Sequence, residues 1–326
     1  MLGKAPVRNN RWFAFIAVVI STSLLISGIS SVVFAAEDPG VFLTNRVDGK
    51  ILKPYLSFMS LKPLTVSLDD PRGIACGPGG LLYVAETSKG RIVRFNQQGN
   101  YKEEVVVDEP GSGFSGHPLN LDFGPNGNLF FTTPKSGLWM IEAGDPRKEP
   151  EKLLKGKYFN QQGHSLHDLA FLKTGEYAGD IILSVFTEKP YGGYVVRIPA
   201  PDYNQIRPFI EEYSVEELGN KVSQHLRVPV ALAVNDLGEI FIADHEKREY
   251  HVLRYSPGGE FVDIFVESIT NPMDLNFSAE GKLYATLGPL WREDQKGGGV
   301  KIYNRSGDQE LYVPRSNLWG VALCEN

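Results

Sequence analysis

Few cysteines and no standard catalytic signature are what this chain first offers. In 326 residues there are two cysteines, four methionines and four tryptophans. No Cys-x-x-Cys, His-Glu-x-x-His or Gly-x-Ser-x-Gly occurs, so the usual thiol-redox, zinc-hydrolase and serine-hydrolase motifs are missing. Gly77-Pro78-Gly79-Gly80 is followed by neither Lys-Ser/Thr nor a helix pattern, which excludes a phosphate loop. Gly297-Gly298-Gly299 reads as a flexible turn. There is no coiled-coil repeat, low-complexity linker or second domain. Positive charge is also scarce, with 33 Lys and Arg against 39 Asp and Glu, a net of −6. Three of those basic residues, Lys4, Arg8 and Arg11, precede the first apolar run, so the remainder is more acidic still. An acidic chain without a basic cluster cannot neutralise phosphates, so nucleic acid is excluded as a partner.

One long hydrophobic run is present. Trp12–Ala36 carries no charge, follows the basic start, and ends in Val33-Phe34-Ala35-Ala36. This is the layout of a secretory signal peptide over residues 1–36. The run is also long enough for an uncleaved membrane anchor, which would be the chain's sole contact with a membrane. Either way residues 37–326 are expected outside the cytoplasm, in a periplasm or the extracellular space. An oxidising compartment would permit a Cys76–Cys324 disulfide. The two lie at offsets of opposite parity in equivalent strands, which points to opposite strand faces and to two buried free thiols; the sequence leaves both open.

A short pattern returns six times: Pro or Leu, any residue, a small or polar residue, an aliphatic residue, then a small one. The copies begin at Pro71, Pro118, Leu166, Pro229, Pro272 and Leu318. Their third residues are Gly73, Asn120, Asp168, Ala231, Asp274 and Gly320. Neighbouring copies lie roughly 40 to 50 residues apart, the spacing of β-propeller blades. The gap from Asp168 to Ala231 is longer, and an insert at 202–227 accounts for it, with Ser214 and Glu217 as a capping box for a short helix. Each copy reads as several short strands; the first has Gly73–Cys76, Leu81–Ala85, Arg91–Phe95 and Asn100–Val107. The last copy has one strand only. Val41–Thr44, Lys50–Pro54 and Leu64–Leu68 would complete it, hiding the edges of the ring. The fold expected is all-β, a six-bladed β-propeller closed by N-terminal strands pairing with the C-terminal strand.

The residue after each start is always aliphatic (Ile74, Leu121, Leu169, Leu232, Leu275, Val321) and packs between blades. Asn120, Asp168 and Asp274 place three oxygen ligands at the channel mouth, where they could hold a hard divalent cation such as Ca²⁺. Asn and Asp also cap turns at strand starts. His164 and His167 precede Asp168 and are the candidates for proton transfer beside Asp274. Loops expected on that face add His117, Glu86, Asp244, His245, Tyr191, Trp291, Arg292 and Trp319 as substrate contacts.

Pro71–Phe95 resembles an NHL-type repeat, and the segments at Pro118, Pro229 and Pro272 are similar, looser copies. Within that superfamily the positions of Asn120, Asp168 and Asp274 are similar to those where the senescence-marker/gluconolactonase group holds one divalent cation. The resemblance implies metal-dependent hydrolysis of a lactone or ester of a small, polar, sugar-like substrate. The chain departs from that group in having no Glu at a strand start and no Gly after these three residues. The same superfamily contains propellers that only bind a protein or glycan, which is the alternative expectation. Gly124–Thr132 is similar to repeats of streptogramin-type lyases, and Gly179–Leu183 with Gly193–Ile198 looks like a blade of quinone-dependent sugar dehydrogenases, a further alternative.

Overall fold

Runs of β-branched and aromatic residues, stopped every few positions by Gly and Asn, fold as short antiparallel strands. In the computed structural model the described residues are 40–55, 60–64, 67–108, 116–134, 137–154, 164–188, 191–210, 226–246, 249–288 and 298–324. Residues 1–36, expected to be a targeting segment, lie outside them.

The strands form six four-stranded sheets. Blade 1 has Pro71–Gly77 innermost, then Leu81–Glu86, Arg91–Phe95 and Tyr101–Val107. The innermost strands of blades 2 to 5 are Leu121–Phe123, His164–Phe171, Pro229–Val234 and Pro272–Phe277. Blade 6 has Leu318–Cys324 innermost, paired with Gly40–Asn45, followed by Lys50–Tyr55 and Ser60–Pro63. Each innermost strand touches those of the blades beside it, blade 6 meeting blade 1, so the ring is closed. The fold is a six-bladed β-propeller sealed by its N-terminal strands.

Two expected segments differ. The outer strand of blade 6 is Ser60–Pro63, not Leu64–Leu68. Leu64 and Leu68 instead fill the apolar seam between blades 6 and 1 with Phe42, Ile74 and Phe95; an apolar run records burial, not pairing. Residues 207–210, inside the expected insert, form the outer strand of blade 3. The helix expected after Ser214 falls at 211–225, outside the described residues.

The two faces of the ring differ. On the face where first strands end, six tight turns close the same way. Gly99, Gly127, Gly238, Gly259, Gly281 and Gly307 each donate their N–H to the carbonyl three residues earlier, at 2.8–3.2 Å. All six have φ between 77° and 86°, a conformation glycine adopts without a Cβ clash. The four longest connections, 108–120, 153–163, 211–228 and 288–298, all join strand ends on the opposite, start face.

Candidate functional site

Blades approach closely where the innermost strands start, and that crowding dictates the residue type. A Cβ on Gly73 would stand 2.6 Å from Asn120 Oδ1 and 2.7 Å from Asn120 Cα. One on Gly320 would stand 2.6 Å from the Arg72 carbonyl oxygen. At other starts a short polar side chain bridges the seam. Asp168 Oδ1 accepts the Leu169 N–H at 2.7 Å and also the Asn120 side-chain amide, while Oδ2 accepts the Leu232 N–H of blade 4 at 2.6 Å. Asp274 Oδ1 accepts the Leu275 N–H at 2.9 Å, and Oδ2 the Val321 N–H of blade 6 at 2.8 Å. Asn120 Oδ1 accepts the Leu121 N–H at 3.0 Å.

A second tier reinforces these latches. Thr44 Oγ1 accepts the Gly320 N–H at 2.8 Å and donates to Arg72 O of blade 1 at 2.5 Å. Thr132 Oγ1 accepts the Asn120 N–H at 3.3 Å and donates to His167 O of blade 3 at 3.2 Å. Thr286 Oγ1 donates to Trp319 O of blade 6.

These contacts decide how well a divalent cation fits. Every carboxylate oxygen of Asp168 and Asp274 already receives an N–H donor, and the Asn120 amide presents its NH₂ toward Asp168. Donor dipoles therefore converge where a cation needs lone pairs. Among the described residues no three His, Cys, Asp or Glu side chains gather as a metal site. Asn120, Asp168 and Asp274 serve as latches between blades, so a cation there would have to share carboxylate oxygens that already accept backbone N–H groups. Burial raises the Asp168 pKa to about 7 despite its N–H donors. Asp274 is likewise raised, first by burial and then by Asp168.

The other expected site residues are dispersed. Glu86, fully buried, accepts the Asp69 N–H at 2.7 Å and pairs with Arg91 at 2.6 Å and Lys89 at 3.1 Å. Burial alone would raise its pKa, but these partners hold it below the usual carboxylate range. Asp244 accepts the N–H groups of Arg227 and Val228. Both carboxylates fasten an incoming connection to a second strand. His117 Nδ1 lies 2.8 Å from the Thr87 carbonyl oxygen, and His245 stacks on Tyr250 with centroids 4.3 Å apart. His164 and His167 fall within the first strand of blade 3, not in a connection. His164 Nδ1 is 3.2 Å from the Tyr194 hydroxyl. His167 packs on Phe186, and burial, with Arg72 nearby, lowers its pKa to about 4. That is far from the optimum for a general base near neutral pH. Trp291, Arg292 and the side chain of Tyr191 lie outside the described residues.

One cluster on the start face was not expected. Trp319 stands under two guanidinium groups, Arg72 at 4.6 Å and Arg46 at 5.3 Å from its ring centroid. Asp70 pairs with both arginines. Burial would raise the Asp70 pKa, and the two arginines outweigh it. The sequence signal was Arg72 and Trp319, each the second residue of its repeat copy, with nothing to bring Arg46 and Asp70 to them.

A cavity lies elsewhere. A pocket of about 790 Å³ occupies the channel on the tight-turn side of the latches, between residues such as Gly77, Phe123, Lys173 and Phe277. Asn120, Asp168 and Asp274 border its inner end. His117, His164, His167, Glu86, Asp244, His245 and Trp319 do not line it. Among the described residues Lys173 is its one basic group, so it lacks the several cations that a quinone site would require.

Compared by sequence, the chain matches no family model and no curated protein. Compared by structure, it is similar to many propellers. A chain of the nidogen/laminin complex is 12% identical with a TM-score of 0.60, covering 86% of this chain and 97% of that one. A gluconolactonase of Xanthomonas campestris is 14% identical with a TM-score of 0.56, covering 85% of each. Regucalcin of Agrobacterium tumefaciens, a calcium-binding protein, is 10% identical with a TM-score of 0.54, covering 77% of each. At these identities the likeness establishes the fold.

Proposed function

We propose that this chain is an exported, non-catalytic propeller that presents its start face to a protein or glycan. The observation that carries this reading is the chemistry of the strand starts. Asp168 and Asp274 each accept one backbone N–H from their own strand and one from the next blade, and Asn120 donates its amide to Asp168, so all three act as latches of the ring. The strand ends joined by the four longest connections lie on the face that carries the Arg46–Trp319–Arg72 stack. Loops on a rigid scaffold are where recognition is usually built, and Trp with Arg is the composition of binding hot spots. Export is supported by the leader-like N-terminus and by a Cys76–Cys324 disulfide, which persists in oxidising compartments. The nidogen/laminin likeness is of the same kind, a propeller from a protein–protein complex. The gluconolactonase and regucalcin likenesses favour a metal-dependent lactonase only through the shared fold.

Two measurements on the full chain separate the readings. A photo-crosslinker at Trp319 in the native host should yield a discrete adduct that one at Lys173, on the opposite face, does not. Melting with Ca²⁺, Mg²⁺, Mn²⁺ or Zn²⁺ should match melting with chelator, because only a ligand bound by the native state adds stability. A Ca²⁺-dependent rise lost in Asp168→Ala, together with lactone hydrolysis, would replace the binding reading with the hydrolase one.

A further inference from the structure

The channel pocket plays no part in the start-face reading and stands independently of it. Two residues beyond each strand start, the blades carry Ala75, Asp122, Ala170, Ala233, Asn276 and Ala322. Ala75, Ala170 and Ala233 border the pocket and leave the bore wide, while Ala322 packs into the seam between blades 6 and 1. The two polar residues belong to blades 2 and 5, three apart in a ring of six, so they stand across the axis from each other.

Both present an acceptor that the fold does not use. Asp122 Oδ1 accepts the Phe123 N–H at 2.7 Å, while no hydrogen bond among the described residues reaches Oδ2. Asn276 donates its NH₂ to Val321 O at 3.3 Å, and its Oδ1 likewise receives no donor. Phe123, Phe277 and Leu323 put carbon on the walls beside the disulfide, within a lining that is otherwise largely polar. Asp168 and Asp274 border the inner end of the pocket, and the exposed Lys173 is the single cation at its border. A ligand that matches must bring N–H donors and positive charge, with carbon to cover the walls. The volume suits a small molecule, for which pockets run from about 300 to 1,000 Å³.

We propose that this pocket binds a small organic cation, an ammonium on an apolar body, with its N–H groups held between Asp122 Oδ2 and Asn276 Oδ1. Lys173 competes with such a ligand for the Asp122 carboxylate.

The test is calorimetric titration of the full chain with benzylammonium, and with benzyl alcohol as its neutral analogue. Expected are saturable benzylammonium binding with Kd at or below about 1 mM and binding of the alcohol at least about tenfold weaker. Asp122→Asn should weaken ammonium binding about tenfold or more, and Lys173→Gln should tighten it. Asn276→Ala, at a partly buried position, gives a second reading of the same site if Asp122→Asn fails to fold; it too should weaken binding. The proposal is overturned if the alcohol binds as well as the ammonium or no saturable binding is found. Binding unchanged by both acceptor substitutions, or weakened by Lys173→Gln, overturns it equally.

Discussion

Single residues at the strand starts show how closely space and hydrogen bonding constrain this ring. Gly73 has no room for a methyl group, because Asn120 backbone stands in the way and cannot yield like a side-chain tip. Gly73→Ala should destabilise by about 1–3 kcal/mol, the usual cost of overpacking, read as a lower urea midpoint at unchanged slope. A loss within error would mean the blades can part at that seam. His167 offers a pH-dependent test. Its folded pKa of about 4 lies below the unfolded value of 6.5, so the unfolded chain binds the extra proton first. Stability from this group is intact above about pH 6.5 and falls as the pH drops toward 4. His167→Gln should therefore narrow the difference in Tm between about pH 5 and about pH 7.5; an unchanged difference would place the shift elsewhere.

At the scale of the element, the second strands do more than complete each blade. Thr44 and Thr132 accept an N–H at their own blade's start and donate to the next blade, and Thr286 donates its hydroxyl proton to Trp319 O of the next blade. Blade 4 has Ala243 opposite Ala231, and blade 1 has Ala85 beside the irregular register at Gly73. The ring therefore tolerates loss of one such link. Thr132→Val keeps the shape and removes the hydroxyl, and about 1 kcal/mol is expected from one net hydrogen bond. Thr44→Val should cost more than Thr132→Val, because its two bonds are shorter, at 2.8 and 2.5 Å against 3.3 and 3.2 Å. Equal costs in chemical denaturation would count against the relay.

The whole molecule is closed twice, by strand pairing and by the Cys76–Cys324 disulfide. The Cα atoms are 5.3 Å apart, although the cysteines lie at offsets of opposite parity. Facing sheets explain this. Ile74 and Cys76 point from blade 1 toward blade 6, while Ala322 and Cys324 point from blade 6 toward blade 1, all into one seam. Residues that meet between neighbouring blades must lie on opposite faces of equivalent strands, so the parity that argued against pairing is the parity it requires. Cys324→Ser, or reduction, should cost about 2–5 kcal/mol, because the link spans 248 residues and restrains the unfolded chain. A Tm insensitive to reductant would show that strand pairing alone holds the ring.

The repeat pattern determined the blade count, the closure by N-terminal strands and the aliphatic residue between blades, because burial and turn chemistry recur with each copy. It also marked the small or polar starts correctly, as a pattern. Only the tertiary structure decided what those starts do. The donors that meet Asp168 and Asp274 are backbone N–H groups of Leu232 and Val321, one blade away, and no spacing in the sequence announces them. The same holds for the pocket, since Asp122 and Asn276 become partners across a bore only when the ring closes. Local periodicity fixes strands because neighbours in sequence make them. A site at the axis is made by residues that are distant along the chain, so closure alone brings them together.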